Sequence, residues 1–222
     1  METAIRNYED VDSWKTVMFL YTSALKEVGT KLEILNDEFQ HVHSYNPIEH
    51  IKTRIKTPES IVKKLKRNGH ETSIENMVKY VNDIAGVRLI CSFTSDIYQI
   101  AEMIAAQGDV TVIHVKDYIK NPKPNGYRSL HVIIAVPVYY LDTMEYFPVE
   151  IQLRTMTMDL WASMEHRVCY KKLPEHRDEL AEAFCQYADI LGKIEEQFEA
   201  YNETGMLEEI TSAQIAENPS EG

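Results

Sequence analysis

Four short runs rich in apolar and β-branched residues, GVRLICSF (86–93), TVIHVKDY (111–118), SLHVIIAV (129–136) and YFPVEIQLRT (146–155), lie between long stretches whose apolar residues recur every three or four positions. That arrangement admits few folds. The short runs read as strands, and the flanking 3–4 spacing reads as amphipathic helix. A helical pattern, SDIYQIAEMIAAQG, follows the first strand. Upstream, Trp14, Val17, Met18, Tyr21, Leu25, Val28, Leu32, Leu35, Phe39 and Val42 predict one long helix that ends near His43–Asn46, before Pro47. TPESIVKKLKRNG predicts a short helix capped by Thr57, with Pro58 in its first turn and Asn68–Gly69 as its stop. TSIENMVKYVN predicts another, with a capping box from Thr72 to Glu75. Downstream, TMTMDLWASMEHRVCYK and a stretch from about Arg177 to Tyr201 are helical. Helices, then β-α-β-β-β, then helices is the order of an α+β domain with a mixed sheet flanked by helices. A single domain over 10–203 is expected, with 204–222 as an acidic, disordered tail.

Composition narrows the partners. The chain has 222 residues and a formal net charge of −12, which argues against general nucleic-acid binding because that needs a basic footprint. The charge is segregated, however: Lys52 to Arg67 is heavily basic, and from Glu195 onward every charge is acidic. A local cationic pocket on an acidic body fits a small anionic ligand. No apolar run approaches the ~20 residues that span a bilayer, and METAIRNYEDVDSW lacks a signal peptide's basic and apolar regions. A cytoplasmic protein is expected. Cys91, Cys169 and Cys185 are too scattered for a disulfide framework or a zinc site, and read as buried free thiols. His41 and His43 are too few for zinc, and no P-loop motif occurs.

Four constellations bear chemistry. Arg54, Lys56, Ser60, Lys64 and Arg67 form the first, with residues 60, 64 and 67 on one helical face beside a helix N-terminus that suits anions. A solvated basic face gives the same pattern. In NDIAGVRLI, Asp83 precedes a strand and Arg88 lies within it. A carboxylate there suits Mg²⁺, which takes one or two carboxylates plus phosphate oxygens, although a helix-terminating Asp reads alike. In VEIQLRT, Glu150, Gln152 and Arg154 share one strand face, either an exposed surface or a cleft floor carrying a base, an amide and a cation. In NPKPNGYRSLH, Tyr127 offers a ring for base stacking and Asn125 a base-edge partner, and Lys123 joins Lys116 as a phosphate partner; PNG alone needs no ligand. Together these favour phosphoryl-type transfer between nucleotides.

The segments YNPIEHIKTRIKTPESIVKKLKR, DIAGVRLICSF, VKDYIKNPKPNGYRSLH and VEIQLRTMTMDLWASMEH, in this order, resemble the synthetase domain of the RelA/SpoT family, and at this length a small alarmone synthetase nearest the RelP type. The resemblance covers residues 10–200. It implies a nucleotidyltransferase-like mixed sheet and an Mg²⁺-dependent transfer of the β,γ-pyrophosphate of ATP to the ribose 3′-OH of GDP or GTP. By the resemblance, Arg54 and Arg88 sandwich adenine, and Lys56, Ser60, Lys64 and Arg67 hold the ATP phosphates. Asp83 binds Mg²⁺ together with Glu150, which also acts as base. Tyr127 stacks on guanine, and Lys116, Lys123, Asn125, His131 and Gln152 complete the acceptor site. Two places depart from the family's patterns: His114 stands where long bifunctional members carry Arg, and His50 and Lys52 stand where the pppGpp-activated RelQ type has an aromatic and a threonine. The family's hydrolase half has no counterpart, since no His-Asp pair occurs. A non-catalytic nucleotide sensor on the same fold is the main alternative, and an RNA-modifying nucleotidyltransferase a weaker one. The first and last helices carry more apolar surface than one small sheet can cover, so a homo-oligomer is expected; the resemblance implies a tetramer.

Overall fold

The computed structural model describes residues 13–42, 45–169 and 177–217. In chain order its elements are α1 (Ser13–Val42), β1 (Ile48–Ile55), α2 (Pro58–Arg67), α3 (Ile74–Tyr80), β2 (Ala85–Cys91), α4 (Thr94–Ala105), β3 (Thr111–Asp117), β4 (Leu130–Tyr140), β5 (Thr143–Thr155), α5 (Met156–Cys169) and α6 (Arg177–Glu217). The chain divides into two compact units: residues to Asn121 with Arg128–Met156, and Pro122–Tyr127 with the chain from Thr157 onward.

The first unit is built on a five-stranded sheet in the order β1-β2-β5-β4-β3. β2 and β5 pair parallel, and the other three pairings are antiparallel, which makes the sheet mixed as expected. A parallel pair needs a long crossover connection, and the segment from α4 to β4 supplies it. β2 is buried along its whole length except for the half-buried Arg88. On one sheet face Val87, Ile151 and Val132 stand in one register row and Leu89, Leu153 and Leu130 in the next. α1 packs across β1, β2, β4 and β5, and α4 packs on β2 and β5. From α1, Val17, Tyr21, Leu25, Val28, Leu32, Leu35 and Phe39 are all buried, so most of its apolar stripe is spent on its own sheet, while Phe19, Ile34 and Val42 stay exposed. Tyr21 meets Phe147 edge-on at 5.3 Å between ring centres.

Helix boundaries follow the caps. Thr57 Oγ1 accepts from the Ser60 amide at 3.3 Å, Pro58 occupies the first turn, and Gly69 follows the Asn68 cap with a φ of +78°. For α3 the cap lies one residue later than the expected Thr72. Ser73, in extended conformation, accepts from the Asn76 amide at 3.1 Å. α1 ends at Val42; the expected stop at His43–Asn46 begins at residues outside those described. α6 continues to Glu217, past Tyr201, where a polar run at 202–205 interrupts the apolar spacing.

β1 is the element that pattern reading missed. Its apolar residues, Ile48, Ile51 and Ile55, are spaced by three and four, a helical signature. As an edge strand it buries only Ile48 fully, and a register shift lies between Ile48 and His50. Pairing with β2, not alternation, makes it a strand.

In the second unit, Trp161, Phe184 and Ala188 form a buried cluster with Tyr127, Leu180 and Leu191 against it. Trp161 Nε1 donates to the Phe184 carbonyl at 2.6 Å, and Thr157 Oγ1 donates to the buried Glu195 carboxylate. Gly126 has a φ of +88°, and a Cβ there would lie 2.9 Å from Ala188 Cβ and 3.0 Å from Cys185 Cα, so only glycine lets the 122–127 segment sit this close to α6. Along the outer face of α6, Tyr187, Ile190, Ile194, Phe198 and Tyr201 are exposed. Cys91 is buried, as expected, and burial pushes its thiol pKa upward; Cys185 is half-buried. The Cys169 side chain lies outside the described residues.

Candidate active site

The polar face of the sheet carries the candidate residues in rows fixed by strand register. Lys52, Arg88, Gln152, His131 and Lys116 form one continuous row across all five strands. Arg54, Gly86, Glu150, Ile133 and His114 form the next. Residues opposite one another on neighbouring strands point to the same side, so cations and a carboxylate from distant parts of the chain are gathered on one floor. A pocket of about 200 Å³ opens there, lined by Lys52, Thr53, Arg54, Gly86, Val87, Arg88, Glu150 and Gln152. Gly86 stands between Arg54 and Glu150 in the register, so no side chain rises between them. Arg54 and Arg88 are diagonal neighbours on adjacent strands, a relation that sets side chains ~7–8 Å apart. A flat ring in contact at ~3.5 Å on each side needs about that opening.

Glu150 has both oxygens engaged. His131 Nδ1 lies 3.1 Å from Oε1, and Gln152 Nε2 donates to Oε2 at 2.8 Å. Burial pushes the Glu150 carboxyl up, but the His131 ring and the Gln152 amide outweigh burial and hold it below its usual range. The Asp83 charge works the other way, as a smaller upward push. Asp83, in the turn before β2, is gripped from two sides: Lys56 Nζ lies 2.7 Å from Oδ2 and Lys64 Nζ 2.8 Å from Oδ1. Burial again pushes upward and the two lysine contacts more than offset it, so Asp83 also sits low. Both carboxylates are therefore ionised at neutral pH. Lys56 is fixed by its own backbone, whose amide donates to the Ile84 carbonyl at 2.8 Å.

The expected groupings hold unequally. Glu150 and Gln152 are half-buried and Arg154 is buried, so VEIQLRT is a cleft floor rather than a solvated face. Lys56 and Lys64 stand together, and their partner is Asp83. Ser60 lies exposed in the first turn of α2, receiving a hydrogen bond from Thr57 Oγ1 at 3.1 Å, and Arg67 is exposed at that helix's far end. Lys123, Asn125 and Tyr127 belong to the second unit. There Asn125 Oδ1 accepts from the Tyr127 amide at 3.3 Å, Lys123 Nζ lies 4.5 Å from the Tyr127 ring centre, and that ring meets Trp161 edge-on at 6.4 Å. Sequence reasoning missed Lys52 and Thr53 as pocket walls. The alternation Lys52, Arg54, Lys56 carried the signal, legible only once 48–55 is read as a strand.

Among the described residues no group of three or more His, Cys, Asp or Glu side chains could hold a metal by itself. Two carboxylates, Asp83 and Glu150, are nonetheless chemically suited to a metal that takes its remaining oxygens from phosphates and water. No helix among the described residues is long and apolar enough to cross a membrane.

Residues 53–175 match the family model described as the region found in RelA / SpoT proteins. GTP pyrophosphokinase YwaC of Bacillus subtilis (strain 168) is 42% identical over 201 residues, covering 89% of this chain and 96% of that protein. The crystal structure of small alarmone synthetase 2 from Bacillus subtilis matches with a TM-score of 0.76 at 41% identity, covering 86% of this chain and 98% of the other. That of small alarmone synthetase 1 from the same organism, bound to its product pppGpp, matches with a TM-score of 0.79 at 28% identity, covering 88% and 100%. With every one of the candidate side chains from Arg54 to Gln152 inside the matched segment, the chain belongs to the RelA/SpoT family.

Proposed function

We propose that the protein is a (p)ppGpp synthetase, a GTP pyrophosphokinase that moves the β,γ-pyrophosphate of ATP onto the ribose 3′-OH of GDP or GTP and releases AMP. The observation that carries this reading is the pairing of two half-buried carboxylates, Asp83 gripped by Lys56 and Lys64 and Glu150 held by His131 and Gln152, with a pocket walled by Lys52, Arg54 and Arg88. A nucleotide sensor would need the cations but neither a base nor a metal carboxylate. Residues 10–203 are assigned to the catalytic domain, and the acidic 204–222 lies outside it.

In the proposed mechanism Arg54 and Arg88 clasp the adenine ring, and Lys56, Lys64, Ser60 and Arg67 hold the triphosphate. Asp83 and Glu150 would hold Mg²⁺, which when bound would draw charge from the phosphate oxygens. Tyr127 stacks on guanine, and Lys116, Lys123, Asn125 and Gln152 complete the acceptor site, with His131 beside them. Glu150 takes the 3′-OH proton as the 3′ oxygen bonds to the β-phosphorus in line with the departing group. The bond from the β-phosphorus to the α–β bridging oxygen breaks, and AMP leaves with its electron pair. A base held below the usual carboxylate range is a weak one at neutral pH. The approach of a triphosphate adds like charge and raises Glu150 back toward its task. Mixing the protein with ATP, GDP and Mg²⁺ should yield AMP only when all three are present; binding without AMP would leave the sensor.

Replacing Tyr127 with Ala should weaken the guanine nucleotide by the ~1–3 kcal/mol of one stacking contact, with ATP affinity unchanged in calorimetric titrations. Equal losses for both nucleotides would remove the 122–127 segment from the acceptor site. A homotetramer is also proposed, and the exposed apolar stripe of α6 supports it, whereas most of the α1 stripe is covered within its own unit. Light scattering at micromolar protein should give a fourfold multiple of the 25.7 kDa chain. A mass near one chain would reject assembly.

A further inference from the structure

We infer that His131 is a positioning residue for Glu150, holding the carboxylate through Nδ1, rather than a ligand of the acceptor's phosphates. This rests on the proposed role of Glu150 in the transfer. Glu150 and His131 come from adjacent antiparallel strands, β5 and β4. His131 pairs across the ladder with Gln152 and sits diagonal to Glu150. Nδ1 lies 3.1 Å from Oε1 while the Gln152 amide holds Oε2 at 2.8 Å. One contact on each oxygen fixes both the position and the plane of the carboxylate. An ionised carboxylate only accepts, so the shared proton belongs to His131 Nδ1. With Nδ1 committed to Glu150, the ring has only Nε2 left for any other partner. The ring itself is braced. Tyr118 meets it edge-on at 5.3 Å and 86°, and the Tyr118 amide donates to the Ser129 carbonyl at 3.0 Å, tying the end of β3 to the start of β4. Lys116, His131's register partner on β3, remains the cation available to an acceptor phosphate.

The two conservative amides separate the alternatives. Asn carries its amide nitrogen where Nδ1 lies and nothing near Nε2; Gln reaches the Nε2 position and loses Nδ1. Steady-state kinetics with ATP and GDP varied separately should show His131→Gln lowering kcat about 10²-fold, the loss that ~1 Å of misplacement brings. KM for GDP should stay within about twofold of the parent. His131→Asn should recover at least about tenfold of that kcat. In a Glu150→Gln background, adding His131→Gln should lower the residual rate by less than about threefold, because residues that act as a unit are not additive. The inference is overturned if His131→Gln keeps kcat and His131→Asn raises KM for GDP, or if the two variants lose kcat equally. It is also overturned if the double variant loses the product of the single losses. Its failure is distinguishable from failure of the underlying reading. Near-normal turnover by Glu150→Gln alone would remove that reading, whereas an inactive Glu150→Gln beside a fully active His131→Gln would remove only this inference.

Discussion

Replacing Glu150 with Gln is expected to cut turnover by ~10²–10⁴-fold, the usual worth of general-base catalysis, while ATP affinity stays within a few-fold. The substitution keeps the shape of the side chain, so β5 and its register with β2 and β4 are retained. What it removes is the proposed proton acceptor and one anionic oxygen of the proposed metal site. Single-turnover AMP release and calorimetric ATP binding on the same preparation separate the two effects. Near-normal AMP release would remove Glu150 from the chemistry.

Asp83→Asn carries the second large effect, and it has two readouts. Activity should fall at least as far as in Glu150→Gln, since the proposed metal site loses a charged ligand. Mn²⁺, which shares the all-oxygen octahedral preference of Mg²⁺, should bind the parent tightly only when ATP is present. Both Asp83 oxygens are held by Lys56 and Lys64 at 2.7 and 2.8 Å, and in the proposed mechanism a triphosphate draws those lysines away. In the variant, ATP should no longer promote Mn²⁺ binding. The stability readout follows from the lowered pKa of Asp83, in which the two lysine contacts overcome the upward push of burial. A carboxyl depressed in the folded state contributes stability that is fully present above its unfolded value of about 3.9. That contribution is lost as the pH falls through the folded value. The Tm of the variant should therefore lie below that of the parent at pH 6–8, and the gap should close in acid as the parent's Asp83 becomes neutral. A gap that is constant down to pH 2 would contradict the ion-pair account.

How far the sequence alone leads depends on whether a feature is local. The α2 helix was legible residue by residue, because Thr57, Pro58 and Asn68–Gly69 act within a turn of one another. The strands GVRLICSF and YFPVEIQLRT were legible because apolar and β-branched residues crowd them. β1 was not, since an edge strand buries one residue in three or four and Ile48, Ile51 and Ile55 imitate a helix. The grouping of Arg54, Arg88, Glu150 and Gln152 was reached through family likeness rather than pattern, for register between strands far apart in the chain leaves no periodic trace. The same holds for the contacts that change the chemistry: Lys56 and Lys64 meeting at Asp83, and His131 meeting Glu150. Each requires knowing which residue stands opposite which. The α6 helix runs past its expected end because the polar run at 202–205 interrupts the apolar spacing, which Met206, Leu207 and Ile210 then resume.

The central claim is that this cationic, two-carboxylate site transfers an intact pyrophosphate group. ATP labelled at its γ-phosphorus tests it most directly, with labelled products separated after incubation with GDP and Mg²⁺. The account predicts that the label moves onto the guanine nucleotide while unlabelled AMP accumulates in equal amount, with both abolished together in Glu150→Gln. Label released as inorganic phosphate beside ADP, or as free pyrophosphate beside AMP, would contradict it.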